Sequence, residues 1–423
     1  MRRRRLAVAM CLAAILGAAS WCDAAAKPKA AAGKKAAQAA PHYDVLYQVH
    51  VPTMADAIVA KLQEGIQKEL AKHKSRDSDA DYAIRKQVAE NVQAALTRTV
   101  RELEDFALGW KLDRQQKRSF VDVKVTALPG SGLARQFAEV KELKTAFAGF
   151  VMPGAVLSAR GVGRAAAADA AASAKVVELV RAKVVKHVDR EPIADSEKAK
   201  HKELVNKCFD VVRDSVSSGR SDGALSVVAK PDRLTLIAGG YTADGAKLES
   251  VVKPIAQWLK EHHPAFGGLK VDAGEFEGVR FHTLSLPAPG GDEKFVKLFG
   301  ESLEIVAGFG PQAAYLAAGK DAMKALKEAI QRSKAQAVPP TPFEVSLALK
   351  PLADFIAVMG KDHEKPIARK AASLLQGAQG KDHVRLVAEP IERGMILRLD
   401  AEEGLLQLIG ALNPQAKKFL LGK

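Results

Sequence analysis

The chain has 423 residues, of which 48% are hydrophobic and 27% charged, and its formal net charge is +15. These fractions are ordinary for a globular protein and exclude the collagen-like, disordered and integral-membrane classes for the bulk of the chain. At roughly 150 residues per domain, the length predicts two or three folded units. Aromatic residues contribute only 5%, so we expect a core built mainly from aliphatic side chains.

The first 26 residues have the order of a secretory signal peptide. Arg2 to Arg5 are cationic, residues 6–20 are apolar, and the small residues of CDAAA follow at 22–26. The apolar stretch is shorter than the roughly 20 residues that a bilayer span needs. We therefore predict export to the periplasm or the extracellular space, with cleavage near Ala24–Ala26, and not an integral membrane protein. An uncleaved anchor is the alternative.

Residues 27–41 form an Ala/Lys-rich stretch of low complexity, which we interpret as a flexible spacer. Its four lysines and the signal arginines account for about half of the net charge. The basic balance is therefore weak evidence for an anionic partner, and we expect no specific binding of nucleic acid. Cleavage would also remove Cys11 and Cys22 and leave Cys208, so that no internal disulfide could form.

The folded body opens with two helical patterns in residues 42–104. Apolar residues recur four apart over 53–72 and again over 79–104, and a polar turn joins the two stretches. This pattern predicts an N-terminal helical hairpin, whose apolar side must pack on the unit that follows.

Two α+β units are predicted after the hairpin, at 105–264 and 265–423. Four pairs of strand-like segments indicate β-hairpins, and long helical patterns separate them; the pairs lie at 105–127, 224–243, 269–286 and 383–400. Hairpin connections join antiparallel strands. The predicted fold class is therefore α+β, with antiparallel β-hairpin sheets covered by long α-helices.

One short pattern recurs where strands are expected to end. It is seen in VTALP (125–129), VVAKP (227–231), LALKP (347–351) and LVAEP (386–390). Proline cannot donate to the ladder, so it is typical of strand ends. Two interpretations stay open: two related halves from an internal duplication, or independent use of the same strand ending.

No combination of residues points to a catalytic, cofactor-binding or metal-ligating site, and no cofactor is predicted. Cys208 lies on the apolar side of a helical pattern, which favours a packed thiol over a nucleophile. GKDH occurs at 360–363 and at 380–383, but neither copy has metal-ligand spacing. The glycine-rich strings GSG (130–132), GVG (161–163) and AAGKDA (317–322) lack the flanking residues of phosphate-binding or nucleophile motifs, and each is predicted to be a turn.

LKTAFAGFVMPGA (143–155), AGGYTADGAKLE (238–249) and the recurrent strand ending resemble a group of exported bacterial proteins of the kind abundant in planctomycetes. The resemblance extends over most of the chain after the signal segment. It implies export and an α+β fold, and it implies no activity and no site residue.

Three hypotheses about function follow. The first is an exported, non-enzymatic protein that binds a partner in the envelope or has a structural role. The second is a carrier of an apolar small molecule or lipid, held between helices and sheet. The third is a hydrolase whose site forms only in three dimensions.

The order of charged, apolar and small residues at the N-terminus generates the first testable prediction. We expect the exported protein to begin near Lys27 or two residues earlier, because cleavage follows small residues. N-terminal sequencing of the secreted fraction measures this directly. A mature chain that still begins at Met1, or one acylated at Cys22, would contradict the prediction.

Overall fold

The computed structural model describes residues 43–262, 266, 268–335 and 341–413. The predicted signal peptide (1–26) and spacer (27–41) lie outside these residues. The described chain forms one 13-stranded antiparallel sheet and eleven α-helices. The α+β class is confirmed, and the hairpins belong to a single sheet.

The strands follow the chain largely in hairpin pairs. Their bounds are β1 Val45–His50, β2 Leu103–Asp113, β3 Arg118–Ala127, β4 Leu157–Arg164, β5 Arg220–Lys230, β6 Arg233–Tyr241, β7 Leu269–Phe276, β8 Val279–Pro287, β9 Ser302–Gly310, β10 Ala313–Gly319, β11 Phe343–Ala348, β12 His383–Ile391 and β13 Gly394–Ala401. All four predicted hairpins are present. β1 was not expected, because the sequence analysis placed only helices in residues 42–104.

The helices connect these strands and agree with most of the predicted helical stretches. Their bounds are α1 Ala55–Lys74, α2 Asp79–Glu102, α3 Gly132–Val140, α4 Ala167–Asp189, α5 Asp195–Ser217, α6 Gly245–His262, α7 Glu293–Phe299, α8 Ala322–Ala335, α9 Leu349–Met359, α10 Lys365–Gln376 and α11 Glu403–Leu412. Side-chain caps mark several N-termini: Ser78 accepts a hydrogen bond from the Asp81 amide and Ser131 from that of Ala134.

The order of strands in the sheet differs from their order in the chain. It is β1-β2-β3-β13-β12-β11-β4-β5-β6-β10-β9-β8-β7, and every neighbouring pair is antiparallel. The last three strands of the chain thus lie between β3 and β4. Strands from the two predicted units, 105–264 and 265–423, therefore share one sheet. The unit boundaries and the internal duplication remain predictions.

One face of the sheet, which we call the packed face, carries the largest core. Ile237, Phe281, Val306 and Ala317 lie on this face and are fully buried. They pack against α8 and against a short 3-10 turn at Ala148–Phe150. The Phe147 and Phe150 rings meet edge to face with centroids 5.8 Å apart, a preferred aromatic geometry.

Two details of the sequence analysis need correction. The GVG string was predicted to be a turn, but Gly161 and Gly163 lie inside β4. Pro390 and Pro351 were expected to follow strands. Pro390 lies within β12, and Pro351 lies in the first turn of α9, where proline is tolerated. The other two prolines follow β3 and β5 as expected.

Cys208 lies on α5 with only 3% of its surface exposed, which confirms that its thiol is packed in the interior. None of the described helices is both long and apolar enough to span a bilayer.

The two adjacent glycines of β6 generate a test of the face assignments. A Cβ at Gly239, on the packed face, would lie 2.6 Å from the Phe147 ring, whereas a Cβ at Gly240 would have its nearest neighbour, the Asp222 carbonyl oxygen, at 3.9 Å. We expect Gly239→Ala to lower the free energy of unfolding by about 1–3 kcal/mol through overpacking. Gly240→Ala should be neutral or stabilise by up to about 1 kcal/mol, since alanine restricts the unfolded chain. Urea denaturation measures both, and equal effects would contradict the assignment.

Candidate functional site

The face opposite the packed face is apolar from β1 to β9. Directly opposed residues on neighbouring antiparallel strands point to the same side of a sheet. Following the register from β1 to β9 gives one unbroken series of apolar cross-strand neighbours, which we call the apolar row: Val45, Trp110, Val121, Leu399, Leu386, Val345, Ala159, Leu225, Ala238, Leu316 and Ala307. At 4.7–4.9 Å between strands, eleven strands extend about 48 Å.

The apolar row is not a closed core. None of its eleven members is buried, whereas the cross-strand series on the packed face reaches zero exposure at its centre. Exposure is greatest at the β1 end, in a group that we call the exposed corner. It consists of Val45, Tyr47, Leu108, Leu397 and Leu399, which are 59%, 60%, 42%, 36% and 46% exposed. Soluble chains rarely leave large apolar side chains exposed in one continuous patch.

Glycines deepen the same face at the centre of the sheet. Gly161, Gly223 and Gly240 are direct cross-strand neighbours on β4, β5 and β6. A Cβ at Gly161 would meet its nearest atom, in the Phe343 ring, only at 3.7 Å, so there is space above the backbone. Phe343 on β11 and Phe309 on β9 terminate this series. They lie five strand spacings apart, which makes the depression about 24 Å wide.

Helices contact this face in more than one place: α3 packs on the fully buried Ala127 of β3, and α5 and α6 cover the β9 end of the depression. Val211 on α5 and Leu248 on α6 pack against Phe309, and all three are buried. Two clefts elsewhere lie between α1 and α2 and between α4 and α5, and polar or charged side chains line both of them. The apolar row lies outside both clefts, and its members are partly exposed; we call the surface along it, with the glycine depression, the trough.

A buried group of charged residues closes the trough at its far end. His282 on β8 is the cross-strand neighbour of Ala307, the last member of the apolar row. The Glu249 carboxylate on α6 lies 3.2 Å from His282 Nε2 and 3.1 Å from Lys253 Nζ, and it also pairs with Arg280. Lys253 Nζ reaches Asp272 on β7 at 2.8 Å. Glu249 and His282 are only 2% and 4% exposed.

A break in the β7 ladder sets the tautomer of His282. The register shifts between Lys270 and Gly274, and Asp272 adopts φ +54°. Its amide thereby donates a hydrogen bond to His282 Nδ1 at 3.0 Å. A neutral imidazole that accepts at Nδ1 carries its proton on Nε2, which faces Glu249. Burial lowers the pKa of His282, so the neutral ring is favoured.

Glu249, Asp272 and His282 together form a group with metal-ligand chemistry among the described residues. A metal-bound histidine ligates with one nitrogen and donates an N–H from the other. Here the backbone amide of Asp272 already occupies Nδ1, and Nε2 holds the proton, so the ring has no lone pair left for a metal. The ammonium of Lys253 also lies between the two carboxylates. The arrangement fits an ion network that fastens α6 to β7 and β8, and it does not fit a metal site.

Sequence analysis predicted no site residues, and it missed both features of this face. The charged group combines five residues from α6, β7 and β8, at spacings that form no motif. The one signal was an acid, Glu249, within the apolar stretch of α6. In the GKDH copies, Asp362 pairs with Lys365 at the surface, whereas Asp382 is buried and accepts from the Lys350 amide. The two copies thus serve separate local roles.

No family model, curated protein or solved structure matches this chain.

The charged group generates a pH prediction. Because burial lowers the folded-state pKa of His282, the unfolded chain binds this proton more tightly. The neutral ring makes its full contribution to the free energy of unfolding above the pKa of the unfolded chain, about 6.5. This contribution is lost as the pH falls from there toward the pKa of the folded protein. His282→Gln should unfold at a lower free energy than the wild type. We expect this difference to be smaller at about pH 5 than at about pH 7.5, two values that lie on either side of the unfolded pKa.

Denaturant titrations at several pH values measure this difference. His363, whose side chain is 75% exposed, provides the matched control as His363→Gln. A penalty for His282→Gln that grows on acidification would show that the buried ring is protonated in the folded protein.

Proposed function

We propose that this chain is an exported, non-enzymatic binding protein of the periplasm or extracellular space, and that the open face of its sheet binds the acyl chain of a lipid or a similar apolar molecule. The observation that carries the proposal is the apolar row, which continues over eleven strands without a buried member. This corresponds to the carrier hypothesis, with an open trough as the binding surface.

The energetics favour an occupant for this face. Transfer of apolar surface out of water yields about 25 cal/mol per Å², or 1.5–3 kcal/mol for complete burial of a large aliphatic side chain. The five side chains of the exposed corner are 36–60% exposed. Covering each would therefore contribute on the order of 1 kcal/mol. An extended ligand that lies along the row would cover several of these side chains, and each would add its contribution to the binding free energy.

The chemistry of the row favours an uncharged, extended ligand. None of its members carries a charge, and its one polar atom, the indole nitrogen of Trp110, already donates to Ser119 Oγ at 3.0 Å. Charged side chains first occur at the β8 end, where Arg280 and His282 are engaged with Glu249. The floor of Gly161 and Gly240 lets a narrow chain lie close to the backbone.

Three sequence features support the remaining parts of the proposal. The order of residues 1–26 supports export, and the resemblance to exported planctomycete-type proteins agrees with it. The non-enzymatic character rests on the sequence, in which no motif supplies a nucleophile, a base and an orienting group together.

Filling the trough tests the function without disturbing the core. We expect the chain from Lys27 onward to bind a fluorescent fatty acid such as cis-parinaric acid, and to release lipid on organic extraction. Gly240→Val and Gly161→Val place side chains where the nearest atoms lie at 3.9 and 3.7 Å. Each should weaken binding by about tenfold or more, or 1.4 kcal/mol. The melting temperature should be unchanged or higher, since valine suits strands.

Ile367→Asp is the matched control, because Ile367 is an apolar residue that is 73% exposed on α10, away from the sheet face. It should leave binding of the probe unchanged. Absence of probe binding by the wild type would overturn the proposal. So would equal losses in the glycine variants and the control, or the release of a bound protein in place of lipid.

A further inference from the structure

The two edges of the sheet differ in how they are protected against pairing with another strand. An edge strand presents unpaired backbone groups, and natural proteins shield them with charges, bulges or irregular backbone. β7 has all three: Lys270, Asp272 and Glu275 are charged, the register shifts within the strand, and Gly274 has φ +147°. This edge is therefore poorly suited to pairing.

β1 has none of these protections. Its sequence VLYQVH contains no Asp, Glu, Lys, Arg, Pro or Gly, and its pairing with β2 runs without interruption from Val45 to His50. Val45, Leu46 and Tyr47 are 59%, 54% and 60% exposed, so both faces of the strand are accessible. Among the described elements, β1 makes its main contacts with β2.

We propose that β1 pairs with β1 of a second copy of this chain, in an antiparallel, two-fold symmetric dimer that continues the sheet. A strand without formal charges can meet its own copy without like-charge repulsion, which is the usual obstacle to self-pairing. This proposal stands on the sheet edge and does not depend on the ligand proposed above.

Symmetry restricts the register. A two-fold axis between antiparallel strands is perpendicular to the sheet. The same face of both copies therefore lies on one side of the joined sheet, and opposed residues are either both odd-numbered or both even-numbered. An axis at Tyr47 places Val45 opposite Val49 of the second copy. It also places Asp44, which pairs with Lys111, opposite His50, which pairs with Asp105, so it brings no like charges together. An axis at Gln48 would place Val45 opposite Val51, which is 3% exposed and lies in the following 3-10 turn with Pro52. An axis at Leu46 would pair only the three strand residues Val45 to Tyr47. We therefore place the axis at Tyr47.

The proposed interface is short, with about six residues from each copy, so we expect a reversible dimer with a dissociation constant in the low micromolar range. The apolar row would continue across it, because Val45 and Tyr47 both lie on the open face.

Two measurements on the chain from Lys27 onward test the dimer. In sedimentation equilibrium, the average molar mass of the wild type should rise from that of a monomer toward that of a dimer as the protein concentration increases. Tyr47→Lys should raise the dissociation constant by about tenfold or more, because like charges then face each other. Ile367→Lys, at a more exposed apolar position on α10, should leave it unchanged.

Cysteine substitution tests the register. Opposed residues in an antiparallel pair have Cα atoms about 4.5–5.5 Å apart, within the range of a disulfide. Tyr47→Cys should therefore form a covalent dimer under mild oxidation, whereas Gln48→Cys, opposite Leu46 of the second copy, should not. Cys208 is buried and should not interfere.

Three results would overturn the proposal: a wild type that stays monomeric at about 100 μM, well above a micromolar dissociation constant; cross-linking of Gln48→Cys in place of Tyr47→Cys; or a dimer that Tyr47→Lys does not weaken. A wild type that dimerises only after removal of residues 27–42 would also overturn it, because this chain's own N-terminal segment would then be the occupant of β1.

Discussion

The antiparallel register that carries the apolar row from β1 to β9 is the constraint on which the rest of this structure depends. Side chains alternate between the two faces of a strand, and a slip by one residue would exchange the faces. Because the register is kept from strand to strand, every apolar residue of one series lies on the same side of the sheet. The packed face is thereby closed by Phe147, Phe150 and α8. The opposite face, equally apolar, is covered by α3 at Ala127 and by α5 and α6 at Phe309, and the apolar row between them stays partly exposed.

The charged group at the β8 end shows how the protein terminates that surface. Removing Glu249 from water is costly, and the cost is offset by Lys253, Arg280 and the Nε2 proton of His282. The group depends on the irregular backbone at Asp272, because a regular ladder would not direct that amide to His282. The same irregularity that protects the β7 edge therefore also orients the buried histidine.

Local features of the fold could be predicted from the sequence, whereas its long-range pairings could not. The β7–β8 and β12–β13 hairpins and helices such as α5 and α6 were recognised, because their periodicity and turn residues lie within a few positions of one another. β1 was missed because its partner, β2, begins more than fifty residues later, and six residues before a helix give little signal of their own. The glycines of β4 were mistaken for a turn for a related reason. Their purpose becomes visible only when Gly223 and Gly240 are placed beside them.

The insertion of β11, β12 and β13 between β3 and β4 has a consequence for biogenesis. Synthesis proceeds from the N-terminus, and β13 ends at Ala401. Until almost the whole chain has been made, β3 and β4 each lack one neighbour and carry unpaired backbone along an apolar strand. Such pairings of high sequence separation form late and slowly. The nascent protein therefore has two unpaired strand edges in the middle of its future sheet until the last hairpin has been made. Loss of the C-terminal hairpin would divide the sheet at its centre and would not merely shorten it.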